Sequence, residues 1–211
     1  MVDWHKLVEF FLIFGAAVMS PGPNFVMVVR SSASSTRKNG IFMTLGFGLG
    51  LLIQASIVTF GLRFLFVSYP SIIKVIQYAG AMYLGYLGVV GLLAKKKEEP
   101  IAEKVKKKSG NLFNSFKTGL LTHLSNPYAT LFIISTLALF YDDRVYIRLL
   151  YVLIALLTVL GWYGTVAVFL TNERLQAQLY RFRHWIDRGA GIVLIYIAFK
   201  IGLADITAPL P

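Results

Sequence analysis

Prolines and asparagines stand where membrane helices would otherwise run unbroken. Ser20-Pro21-Gly22-Pro23-Asn24 lies inside 10–29, an uncharged segment between Glu9 and Arg30. Ser125-Asn126-Pro127 lies inside a second uncharged segment, 118–141. A proline in a helix removes one N–H donor and clashes with the carbonyl four residues earlier. Pro21 is therefore expected to free the carbonyl of Ala17, Pro23 that of Met19, and Pro127 that of His123. Gly22 permits backbone angles that other residues resist. A helix restarting after each break would aim free N–H groups and partial positive charge inward, which favours a carboxylate. The freed carbonyls suit an ammonium. Together they describe a receptor for a zwitterion, with Ser20, Asn24, Ser125 and Asn126 adding neutral donors and acceptors at the same depth. Lipid tolerates unpaired backbone groups only where protein buries them or water reaches them. The plainer alternative is a pair of proline kinks used for packing, since prolines are frequent in membrane helices.

Few other polar groups sit deep in the uncharged segments. His123 stands beside the second break, either as a proton relay or as a hydrogen-bonded core histidine. Lys200 either faces the pathway or snorkels to the interface. Asp187 is either a helix-start residue or a gating partner of a nearby arginine. These three are the proton-coupling candidates. Gln54 is the one strongly polar side chain midway along its segment and joins the substrate-binding candidates.

The elements that must position these residues follow from the charge map. The chain is 56% hydrophobic and 15% charged, against roughly 25% charged in soluble domains. Its charge-free windows are 10–29, 39–62, 75–94, 118–141, 149–172 and 189–199. About 20 apolar residues cross the hydrocarbon core as helix, and beyond Lys200 the sixth window continues through Ile201-Gly202-Leu203-Ala204. The expected fold is an all-α membrane protein of six transmembrane helices, with the first and fourth broken. A cleaved signal peptide is the alternative at the N-terminus, but Asp3 and Glu9 offset Lys6 and the apolar run continues through Phe25–Val29.

Charge also predicts orientation. Eight lysines fall between Lys95 and Lys117, in one connection between spans. With Arg30, Arg37, Lys38, Arg174, Arg181, Arg183 and Arg188 they make fifteen basic residues on one side, against six on the other. The positive-inside rule puts the fifteen in the cytoplasm and both termini outside. The net charge of +11 thus fits anionic lipid at the cytoplasmic face of an inner (plasma) membrane, and no nucleic-acid partner is expected. Leu175, Leu179, Phe182 and Ile186 recur at helical spacing among arginines. That pattern is either an amphipathic helix on the inner face or an extension of a neighbouring span.

The two halves resemble each other. The breaks lie about 104 positions apart, and Ala79-Gly80-Ala81 with Leu84 and Tyr86 matches Gly189-Ala190-Gly191 with Leu194 and Tyr196, 110 apart. Three spans per repeat is an odd number, so the halves must insert inverted, as in many transporters. The expected units are 1–94 and 116–211, each a three-helix repeat, joined by a basic cytoplasmic loop at 95–115. The breaks then enter from opposite faces. At about 1.5 Å per residue both reach the middle of the bilayer. Gly46 and Gly50, and Gly85, Gly88 and Gly91, suit close helix packing rather than nucleotide binding.

Several function classes fall away. The absence of cysteine removes disulfide, thiol-redox and thiolate-metal chemistry. Three scattered histidines and no acid at a helix centre make a poor metal exporter, so neither metal nor cofactor is expected. No nucleophile–base pair or acid pair lies at membrane depth, so the chain is not expected to be an enzyme. A non-transporting scaffold remains as a competitor and requires the two breaks to be packed shut. A homo-oligomer is left open.

The residues carry a family resemblance. Ser20-Pro21-Gly22-Pro23-Asn24 followed by Gly46-x-x-x-Gly50 resembles the first half of LysE/RhtB-type amino-acid exporters. Phe116-Lys117-Thr118-Gly119-Leu120-Leu121-Thr122 followed by Asn126-Pro127 is similar to the opening of that family's second half. The resemblance covers nearly the whole chain. It implies a six-span inner-membrane exporter of amino acids or close derivatives, driven by proton antiport. The family's prolines and asparagines map onto Pro21, Pro23, Asn24, Asn126 and Pro127. Many members carry an acid just after the second-span glycine, often with a histidine three positions on; here those positions are Leu51 and Gln54. A backbone-built site, rather than a buried carboxylate, is then the expected chemical centre.

Overall fold

The computed structural model describes residues 3–20, 23–68, 70–94, 110–169 and 173–204. The regular structure among them is entirely helical: α1 (Trp4–Met19), α2 (Pro23–Ser34), α3 (Arg37–Ser68), α4 (Pro70–Leu92), α5 (Leu112–Leu124), α6 (Pro127–Leu139), α7 (Val145–Phe169) and α8 (Glu173–Ala204). The connection at 95–109, together with Pro21 and Gly22, lies outside the described residues.

Both breaks fall where the prolines place them. The α1–α2 pair bends by 58° across its break. The second break is Ser125 and Asn126, between α5 and α6. Arg37–Leu62 and Val145–Phe169 are each long and apolar enough to cross a membrane, and the bent pair makes a third such unit. Tyr78–Leu92 and Pro127–Leu139 are shorter apolar helices. α8 runs unbroken from Glu173, so the amphipathic stretch 175–186 extends the last helix and is not a separate surface helix.

Local chemistry explains the helix starts. Asp3 caps α1, its Oδ1 accepting from the amides of His5 and Lys6 at 3.1 and 3.3 Å. Asn111 caps α5 through the amide of Phe113 at 2.9 Å. Before α7, Asp142 takes the Arg144 guanidinium at 2.7 Å. That side-chain hydrogen bond, first among the causes, holds the Asp142 carboxyl down at about 2.

Packing is organised around α3, which lies against α2, α5, α6 and α7. Glycine permits the tightest crossing. A Cβ on Gly119 of α5 would meet the backbone carbonyl of Met43, and one on Gly46 of α3 would meet Phe116 O and stand 2.7 Å from Leu120 N. α4 and α8 cross in the same way, with Gly88 against Gly191 O and Gly91 against Asp187 O. These contacts match the packing role expected of Gly46, Gly88 and Gly91. Gly85 meets only Ala198 at 3.5 Å, an ordinary contact. α1 seals against α6 and α7 through rings: Phe10 lies 4.8 Å from Tyr151 and 5.4 Å from Phe140, and Phe14 lies 5.4 Å from Phe132. Outward faces stay apolar, with Ile57, Phe60, Phe64, Leu157 and Ile192 exposed. In water that surface would aggregate; in lipid it is solvated.

Candidate functional site

The two breaks open on one cavity of about 650 Å³. Ser20 and Asn24 reach it from the first break, and His123 and Asn126 from the second. Leu51 of α3, Tyr163 of α7 and Asp187 of α8 close it from other sides. Most of the remaining wall is apolar, including Phe14, Phe132 and Leu194.

An amide chain joins the two halves, and its direction can be deduced. Asn126 Oδ1 accepts from the backbone amides of Tyr128 and Ala129 at 3.1 and 3.3 Å. Backbone N–H groups can only donate, so the side chain of Asn126 cannot be turned around. Its Nδ2 therefore donates to Asn24 Oδ1 at 3.3 Å. Asn24 is left with Nδ2 toward His123 Nδ1, at 3.4 Å. The neutral imidazole must accept there and carry its proton on Nε2. His123 is only 4% exposed, and its Nε2 has no hydrogen-bond partner among the described residues. A buried donor of this kind costs free energy until something accepts from it.

The second break differs from the sequence expectation in two respects. Its free amides are absent: Pro127 has none, Tyr128 and Ala129 bond to the Asn126 side chain, and Thr130 N bonds to Asn126 O at 3.0 Å. Asparagine in the cap position followed by proline satisfies the helix start from within. The carbonyl of His123 is not free either, since it accepts from Asn126 N at 3.1 Å and from Gln54 Nε2 at 3.5 Å. Gln54 also donates to Leu124 O at 3.4 Å and to Thr130 Oγ1 at 2.8 Å. It staples α3 to the break and does not line the cavity. Side chains, not backbone, therefore carry the polar surface here.

Asp187 supplies what the backbone does not. Its Oδ1 accepts from Ser20 Oγ at 2.6 Å, a contact between residues 167 positions apart. Among the described lining residues it is the one carboxylate. Leu51, where the resemblance places an acid in many relatives, is buried and lines the cavity as an aliphatic side chain.

The other sequence candidates are dispersed. Ser125 and Pro127 are exposed and do not line the cavity. Pro23 begins α2 and Lys200 lies in α8, but their side chains are not among those described. Two cavity residues escaped the sequence reading. Tyr163 sits mid-helix between Gly161 and Gly164, away from the interface positions where tyrosine is usual. His184 lies three residues before Asp187, on the same face of α8.

An all-helical membrane protein with a largely apolar cavity, carrying a few polar side chains, between two helix breaks is the class that this geometry defines. Residues 15–204 match the model of the LysE type translocator family. The chain is 32% identical over 190 residues to the threonine efflux protein of Salmonella typhimurium, covering 89% of this chain and 91% of the relative. It is 32% identical over 193 residues to the threonine efflux protein of Escherichia coli K12, again 89% and 91%. An uncharacterized membrane protein of Haemophilus influenzae is 31% identical over 191 residues, 87% of this chain and 89% of the relative. No solved structure matches the chain. The chain belongs to the LysE type translocator family and is a membrane transporter.

Proposed function

We propose that the protein exports a small zwitterionic amino acid from the cytoplasm, and that the cavity between the breaks is its substrate site. The observation that carries this is the Asn126–Asn24–His123 chain, which ties both broken helices to one cavity wall. The volume falls within the range of small-molecule sites. The threonine efflux relatives make L-threonine the first substrate to try. A scaffold would have its breaks packed shut, and the cavity weighs against it. Among the described residues no group of three histidine, cysteine or acidic side chains could hold a metal ion, which disfavours metal export.

The same proposal includes six spans arranged as inverted repeats, 1–94 and 116–211, in an inner membrane with both termini outside and anionic lipid at the cytoplasmic face. The packing of α3 against α7 and of α4 against α8 supports it, because each pair joins equivalent spans of the two halves. Export runs by proton antiport through His123. A proton arriving on Nδ1 would set a donor against the Nδ2 of Asn24. The amide must then turn, and Asn24 ceases to accept from Asn126. Protonation would thus break the link between the halves.

The test is an efflux screen. Cells expressing the protein and loaded with single amino acids should lose one small neutral amino acid faster than control cells, and an uncoupler should abolish the difference. If expression changes the efflux of no amino acid, the exporter proposal fails.

A further inference from the structure

Toward the end of the bundle where α1 and α7 begin, the cavity stops at a set of aromatic rings. Phe14 and Phe132 line it. Behind them Phe10, Phe140 and Tyr151 pack against one another at 4.8 to 5.6 Å, and Phe10 stacks on Phe14 at 5.6 Å. These three rings are buried and do not line the cavity. Arg148 stands beyond them. Arg148, Tyr151, Ala155, Val159 and Tyr163 recur every three or four residues along α7 and are all buried, so they share one face. Val159 and Tyr163, at one end of that stripe, line the cavity. Arg148, at the other end, lies about 16 Å along the helix from Val159.

The guanidinium of Arg148 is held on one side only. Its Nη1 donates to the Tyr141 hydroxyl at 3.1 Å, and its central carbon lies 5.2 Å from the centre of the Tyr141 ring. Its Nε and Nη2 are buried and have no hydrogen-bond partner among the described residues. Those two atoms form the edge of a guanidinium that grips a carboxylate through two parallel bonds. The Asp142 carboxylate, close in sequence, is taken by Arg144 instead. A cation at the start of a helix opposes the helix dipole, so the stability of α7 does not account for the charge. A buried fork without an acceptor is costly, and an anion would satisfy it.

Taking the exporter proposal and its orientation as the basis, we infer that the amino acid leaves along this face of α7 once the Phe10, Phe140 and Tyr151 rings part, and that the Nε–Nη2 edge of Arg148 receives its carboxylate at the outer exit. In this structure the rings separate the fork from the cavity. Parting them opens the fork to substrate arriving from the cavity and to substrate outside. Arg148 therefore sets affinity on the outer face and not on the cytoplasmic one.

The experiment measures half-saturation on each face of the membrane, using the amino acid best exported in the screen, L-threonine in the expected case. Right-side-out vesicles loaded with labelled amino acid report the outer face, through the external concentration that half-maximally alters efflux. Inside-out vesicles report the cytoplasmic face, through the KM of uptake. Arg148→Gln should raise the outer value about tenfold to a hundredfold, the scale of a lost charged hydrogen bond, and move the inner KM by less than about twofold. Arg148→Lys should recover only part of the loss, because an ammonium keeps the charge but not the fork. A packing role, or a lipid phosphate as the anion, would leave the outer value unchanged or move both faces alike. Either result overturns the inference, as does a change confined to the inner face or wild-type efflux indifferent to external amino acid. If Arg148→Gln does not reach the membrane, Arg148→Lys decides by the same comparison. Wild-type inside-out vesicles that take up no amino acid would instead defeat the exporter proposal itself.

Discussion

Replacing Asn126 by alanine is expected to lower export at least about tenfold while the protein still inserts in the membrane. The side chain does two things at once. Its Oδ1 caps α6 through two amides, and its Nδ2 donates across the cavity to Asn24. Losing the cap costs about 1 kcal/mol. That is not enough to unfold a bundle whose core lies along α1, α3, α6 and α7. Losing the donor frees Asn24 to turn, and with it the rule that keeps the His123 proton on Nε2. Asn126→Asp separates the two roles, because a carboxylate caps the helix but cannot donate. It should lose export as fully as alanine does. Efflux from loaded cells, normalised to protein in the membrane fraction, reads the result. Unchanged efflux from a well-inserted Asn126→Ala protein would remove these residues from the substrate site.

Gly119→Val should act on the fold instead. The new Cβ would overlap the Met43 carbonyl and stand 2.9 Å from its carbon, and both atoms are backbone of a neighbouring helix. No rotamer change can relieve that contact, so α5 and α3 must separate. Overpacking of this kind costs about 3 kcal/mol. Gly161→Ala is the matched control, since a Cβ there meets nothing within 4 Å. Its better helix propensity should make it neutral or stabilising by up to about 1 kcal/mol. Thermal unfolding in detergent should show Gly119→Val melting well below wild type and Gly161→Ala at or above it. Equal melting temperatures would mean that the α3–α5 crossing is not tight.

What could be read in advance was what depends on neighbours in sequence. Prolines set the ends of α1 and α5 and the starts of α2 and α6, because a missing N–H acts within one helical turn. Glycines at helical spacing marked the crossings, because a missing Cβ is a local fact even when its partner is distant. Asn126 is legible as a polar residue at the break, but its cap on α6 is the more local signal. Asparagine before proline is a helix cap followed by a first-turn proline, and that local signal shows the amides are already used. Gln54, a substrate-binding candidate by its place in the sequence, donates to carbonyls of the break, a contact that no local rule reveals. The meeting of Ser20 with Asp187 could not be read at all, since no local rule connects residues 167 apart. Tyr163 was hidden for a similar reason: only the turn of α7 against α3 shows which of its faces meets the cavity.

The claim beneath all of this is that both breaks line one substrate cavity, and the chain is suited to a direct test because it contains no cysteine. Ala17, from the first broken helix, and Ala129, from the second, both line the cavity. Ala17→Cys and Ala129→Cys, made singly, should each react with a small water-soluble thiol reagent, and a saturating exported amino acid should slow both reactions. If neither site reacts, or if substrate protects neither, the cavity is not where the amino acid binds.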